Sequence, residues 1–162
     1  MKGVEALTIF RLPRMNRQEI EELIEGQFLC RIAFKGEKYP YMAPFQYVYH
    51  NGSLYFHFTD YGKKMKLLGK DKHVCVEIEK YQPDLREYNF VVLRGALRVV
   101  EGRERAEAIG RMAEYGRERL SENFLAAHGF ARDEDWSSFT PEKPLVIVKL
   151  ENVVQEIGLK SP

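Results

Sequence analysis

The residues best placed to do chemistry fall in one stretch, His57-Phe58-Thr59-Asp60-Tyr61-Gly62-Lys63-Lys64. A strand pattern delivers Thr59 to a turn, and a helix start then presents Gly62, Lys63 and Lys64. Free amides at the positive end of a helix favour an anion, two lysines add charge, and Thr59 adds a hydroxyl donor, so the segment suits a phosphate. Asp60 opposes this by bringing a carboxylate near any dianion. The five lysines between positions 63 and 72 suit a solvated helix face equally well. Around the turn the strands are aromatic, with Tyr47 and Tyr49 before it and Tyr55, Phe56 and Phe58 after it. A planar ligand lying on the sheet would use these rings, and cross-strand packing would use them too. His57 can hydrogen-bond such a ligand, whereas His50, His73 and His128 read as structural or solvent-facing.

Other chemistries lack their residues. There is no GxSxG elbow, GxGxxG or GxxxxGK[ST], so a hydrolase triad, a Rossmann phosphate loop and a Walker loop are not encoded. No CxxC exists, and the four histidines are not at helical metal-ligand spacing. Asp133, Glu134 and Asp135 form an acidic run that reads as a solvated loop. Cys30 and Cys75 sit among apolar neighbours and are expected as free thiols. Lys+Arg of 25 against Asp+Glu of 24 leaves +1, which argues against a nucleic-acid partner. No apolar run is long enough to span a membrane, and no signal peptide is legible at the start, so a cytoplasmic location is expected.

The elements that position these residues follow from periodicity. At 162 residues the chain is expected to form one domain, 1–162. Asn16 with Glu19 makes a capping box for a helix reaching about Glu25, with Ile20, Leu23 and Ile24 as its apolar stripe. Phe28-Leu29-Cys30-Arg31-Ile32-Ala33-Phe34-Lys35 alternates as a strand. Residues 39–50 are strand-like but contain Pro40 and Pro44, which suggest an edge or a bulge. Asn51-Gly52 predicts a tight hairpin turn into the next strand. Asp60 is placed as the cap of a short helix over Tyr61–Leu68. Two more strands follow, the second bent at Gly95. Residues 103–120 read as a helix with Ala106, Ile109, Met112 and Ala113 on one side, 121–140 as irregular or partly helical, and the chain closes on two further strands. Six or so strands with short local connections point to a mainly β fold, an antiparallel barrel with peripheral helices, rather than a parallel sheet.

The order of these pieces resembles the FMN-binding split-barrel superfamily, in particular the proteins related to pyridoxamine 5'-phosphate oxidase and the nitroimidazole-resistance reductases. The likeness runs from about Arg17 to Glu101, through EIEELIEGQFLCRIAF, YPYMAPFQYVYHNGSLYFHFT, GKKMKLL, HVCVEIE and VVLRGALRVVEG. It implies a six-stranded split barrel with FMN held at a homodimer interface. Ala43, Pro44, Phe45, Gln46 and Tyr47 would lie beside the isoalloxazine and ribityl chain, with His57, Phe58 and Thr59 below. Gly62, Lys63 and Lys64 would hold the phosphate. Where the family often carries Trp and Ser, this chain has Tyr88 and Phe90. Its last segment lacks the pyridoxal-phosphate residues of the true oxidase, so that reaction is not expected. The resemblance implies a flavin-dependent oxidoreductase of a small nitroaromatic or quinone-like substrate. A non-catalytic flavin-, haem- or deazaflavin-binding protein of the same fold is the alternative.

Overall fold

The computed structural model describes residues 9–162. Six strands, β1 (Leu29–Phe34), β2 (Tyr41–His50), β3 (Ser53–Phe58), β4 (His73–Tyr81), β5 (Tyr88–Val99) and β6 (Val146–Lys160), pair antiparallel and close in the order β1-β2-β3-β6-β5-β4. The mainly β barrel expected from the sequence is the observed fold. Helices α1 (Arg17–Gly26), α2 (Lys63–Lys70) and α3 (Gly102–Arg119) and two 3-10 helices, Glu122–His128 and Trp136–Ser138, accompany it.

Local chemistry accounts for most boundaries. Asn16 Oδ1 accepts from the Glu19 amide at 2.9 Å, and Glu19 Oε2 accepts from the Asn16 amide at 2.8 Å, so both orphan donors at the start of α1 are satisfied. Asn51 (φ 49°) and Gly52 (φ 72°) both adopt the left-handed conformation that a tight β2–β3 hairpin needs. Pro44 sits inside β2 opposite Arg31, and Pro40 lies just before the strand.

Three expectations are corrected. α2 begins at Lys63 rather than Tyr61, because Gly62 takes φ 93° and forms the cap; no side chain, Asp60 included, caps this helix. The two closing strands are one continuous β6. Its ladder with β5 slips between Arg94 and Ala96, where Asn152 turns left-handed at φ 51°. A Cβ on Gly95 would stand 2.8 Å from the Glu151 carbonyl oxygen, so glycine is required at the bend. Third, α3 buries Ala108, Ile109, Met112, Ala113 and Gly116, with Ala106 only half-buried.

The chain builds two apolar cores. Inside the barrel Ile32, Phe34, Phe56, Phe58, Val76, Ile78 and Val91 are fully buried, and α1 and α2 add Ile20, Leu23, Ile24 and Leu67. Outside the β2–β3–β6 wall, Val48, Tyr55 and Ile147 meet α3 together with Leu125, Phe130, Trp136 and Phe139. β3 serves both, because alternation sends Leu54, Phe56 and Phe58 inward and Tyr55 and His57 outward. Glu104 of α3 ties the outer layer to the wall. It accepts from Tyr55 Oη and Lys149 Nζ at 2.9 Å and from Arg98 at 3.0 Å, which holds its carboxyl down at about 2. Arg105 reaches the carbonyls of Pro141, Lys143 and Leu145 and fixes the approach to β6. Cys30 and Cys75 are free thiols.

Candidate functional site

A cavity of about 220 Å³ lies where β2, the end of β3, the start of α2 and the Glu122–His128 helix meet. Ala43, Pro44, Phe45 and Gln46 line it from β2, His57 and Thr59 from β3 and its exit, and Lys64 from α2. Tyr41, Phe124, Ala127 and His128 complete the lining. Seven of the sequence candidates thus share one hollow. The other four stand differently. Tyr47 and Phe58 belong to the barrel core, where Tyr47 Oη donates to the Ile24 carbonyl at 2.6 Å and closes the end of α1. Phe58 packs its ring 4.9 Å from that of Phe45, one layer beneath the cavity. Gly62 caps α2, and Lys63 Nζ lies 5.3 Å from the centre of the Tyr41 ring.

The cationic side of the cavity is built by contact. Lys64 Nζ donates to Thr59 Oγ1 at 2.5 Å and sits 5.8 Å from the Phe58 ring centre. Partial burial lowers the Lys64 pKa. Thr59 Oγ1 donates onward to the Tyr61 carbonyl at 3.3 Å. With no side chain across the start of α2, its first amides remain free beside this lysine.

The opposite side carries an imidazole pair. His57 Nδ1 lies 2.7 Å from His128 Nδ1, and His128 Nε2 lies 2.8 Å from Gln46 Oε1. Burial pushes His57 down to about 3, helped by His128 and by the charge of Lys64. Burial alone pushes His128 down to about 4. Both rings are therefore neutral near pH 7. Phe139 packs edge-on against both. Gln46 is 6% exposed, and its Nε2 is one of two buried side-chain polar atoms with no partner among the described residues.

His128, read from the sequence as structural or solvent-facing, lines the cavity. It stands 71 residues from His57, itself in a segment without periodicity, so spacing carried no sign of the pair. The other ring contacts are made at Nδ1: His57 and His128 bond each other there, and His73 Nδ1 bonds Asp71 Oδ1 at 2.7 Å. The acidic run is structural. Glu134 accepts from the Ala131 amide and pairs with Lys143, and Asp135 caps the Trp136–Ser138 helix. No cluster of three or more metal-type ligands and no helix long and apolar enough to cross a membrane exists among the described residues.

Comparison with known proteins bears on this arrangement. The chain is similar over 94% of its length to all of a FAD-binding protein from Mesorhizobium loti, with TM-score 0.67 and 16% identity. It resembles the FAD binding protein of Mycobacterium smegmatis over 91% of this chain and 97% of that one, with TM-score 0.60 and 17% identity. A proposed 5-nitroimidazole antibiotic resistance protein from Bacteroides thetaiotaomicron matches over 99% of this chain and 95% of that one, with TM-score 0.56 and 20% identity. At these identities the likeness establishes the fold. No curated protein sequence matches significantly. The sequence profile described as pyridoxamine 5'-phosphate oxidase matches residues 16–138, which take in the whole cavity, and the chain therefore belongs to that family.

Proposed function

We propose that the protein binds FMN in this cavity as a cytoplasmic homodimer and uses it as an oxidoreductase of a small nitroaromatic or quinone-like substrate. The observation that carries the reading is the meeting, in one hollow, of a lysine from the first turn of a helix that no side chain caps, a threonine that steadies it, and a buried amide with an unpaired donor. An anionic phosphate fits the first two, and a polar ring edge fits the third. Two relatives of the same fold are named for FAD, which supports a flavin.

The residues divide the work. Lys64 and the first amides of α2 hold the phosphate, and Lys63 adds charge at the rim. Ala43, Pro44 and Phe45 give an apolar surface for a planar ring, and Gln46 and His57 hydrogen-bond its edge. When bound, the flavin supplies the two-electron chemistry, so the chain needs no nucleophile or acid/base dyad of its own. One chain's 220 Å³ lies below the ~300–1,000 Å³ usual for a ligand pocket, which supports a second copy completing the site. An exposed hollow of about 640 Å³, lined by Ala33, Phe34, Pro40, Val74, Ala96 and Val154, offers that copy an apolar face.

Titration of the purified protein with FMN and with FAD, followed by flavin fluorescence, tests the reading. FMN is expected to bind more tightly than FAD, and Lys63→Ala combined with Lys64→Ala to weaken it at least tenfold while the fold is kept. Failure to take up either flavin sinks the proposal. Bleaching of bound flavin by NADH or NADPH without oxygen is expected of an oxidoreductase, whereas bands that persist leave a carrier.

A further inference from the structure

The bond between His128 Nε2 and Gln46 Oε1 fixes more than a distance. A carbonyl oxygen can only accept, so His128 Nε2 must carry a hydrogen. A neutral imidazole has only one, which leaves His128 Nδ1 bare. The 2.7 Å contact between the two Nδ1 atoms then needs its hydrogen from His57. His57 in turn, being neutral, has a bare Nε2. The three side chains use both nitrogens of His128 and one of His57, and His57 lines the cavity, so this last lone pair is what remains to meet a ligand.

The other end of the chain is equally informative. Gln46 Nε2 is buried and bonds nothing. Turning the amide by half a circle would put its NH2 against His128 Nε2 and break no second bond. Every hydrogen in the row would then shift to the opposite atom, and His57 Nε2 would become a donor. We propose that Gln46 and His128 are positioning residues that set the hydrogen-bond polarity of His57. In the observed state His57 Nε2 accepts from an N–H or O–H on the bound ligand, and rotation of the Gln46 amide is the single move that reverses it. The choice of a ring edge with an N–H as occupant rests on the flavin reading above. The polarity of the chain does not. The charged group that faces the pair is Lys64, whose charge acts on His57 and favours its neutral state, while burial does the same for His128.

The test reads protonation directly. Long-range 1H–15N correlation spectra of the flavin-free protein at neutral pH distinguish bare from protonated imidazole nitrogens. The wild type is expected to show His57 protonated on Nδ1 and bare on Nε2, and His128 the reverse. Gln46→Met keeps the volume and removes the anchor. It is expected to release both rings, with a protonated His57 Nε2 appearing. A wild-type His57 already protonated on Nε2 overturns the inference, and so do ring patterns unchanged in Gln46→Met. Should that variant fail to fold, the wild-type pattern alone decides. Addition of FMN to the same sample separates the two readings. Correct tautomers with no FMN uptake refute the flavin and leave the chain standing, whereas FMN uptake with the wrong tautomers does the opposite.

Discussion

The two sides of strand β3 show how one element divides its labour. Leu54, Phe56 and Phe58 face a barrel interior of aliphatic and aromatic side chains, in which Tyr47 is the one fully buried phenol among the described residues and bonds a helix carbonyl. Tyr55 and His57 face an outer layer that is just as buried yet carries a carboxylate clamp, an imidazole pair and both buried side-chain atoms without partners among the described residues. Close packing inside a closed wall leaves little room for polar groups that need several partners. The outer layer is made from a helix and irregular segments, which bring side chains from many directions. Scaffold and site are thus two faces of the same six residues.

The largest expected effect breaks the inner face. Phe56→Ala should cost about 3–5 kcal/mol in chemical denaturation, because a ring at 0% exposure leaves a cavity in a wall that cannot collapse. A loss below about 1 kcal/mol would mean the interior is looser than its burial implies.

Acid should act on the outer face. The unfolded chain binds protons on His57 and His128 below its ordinary pKa of about 6.5, while the folded rings resist until about 3 and about 4. Their contribution is therefore complete above about pH 6.5 and is lost as pH falls, by about 1.4 kcal/mol per histidine for each pH unit. Denaturation curves from neutral pH down to about 4.5 should show this slope, and His57→Leu should roughly halve it. An unchanged slope would place the acid sensitivity elsewhere. Glu104 and Asp71, held down at about 2 by their partners, act only in more acidic solution.

A third change sharpens the boundary within the outer layer. A Cβ on Gly116 would fall 2.3 Å from the ring of Trp136. Gly116→Ala should cost about 1–3 kcal/mol and shift the emission of this protein's one tryptophan. An unmoved spectrum would mean that α3, not the ring, gives way.

What the sequence made legible follows the range of the forces involved. The capping box at Asn16, the Asn51-Gly52 turn and the alternation of β1 are settled within a few residues, and each stands where its pattern put it. The start of α2 shifted because a glycine at φ 93° overrode Asp60 as cap. β6 was split because Asn152, Val153 and Val154 are all exposed and interrupt the alternation. Of the site, the β2 and β3 residues and Lys64 were readable from the order of motifs. His128 was not, since only the completed outer layer carries it to His57.

The path of β6 has a further consequence, for the order of events at the ribosome. Gln46, His57 and His128 have all been synthesised before Val146 emerges, yet Tyr55 and Phe56, paired with Val48 and Tyr47 on one side, meet Lys149 and Val148 on the other only afterwards. Until then β3 and β5 are bare edges, open to pairing with any other strand. Sheet contacts so distant in sequence are slow to form. A nascent chain interrupted after residue 140 would hold every residue of the proposed relay and lack the strand that joins β3 to β5.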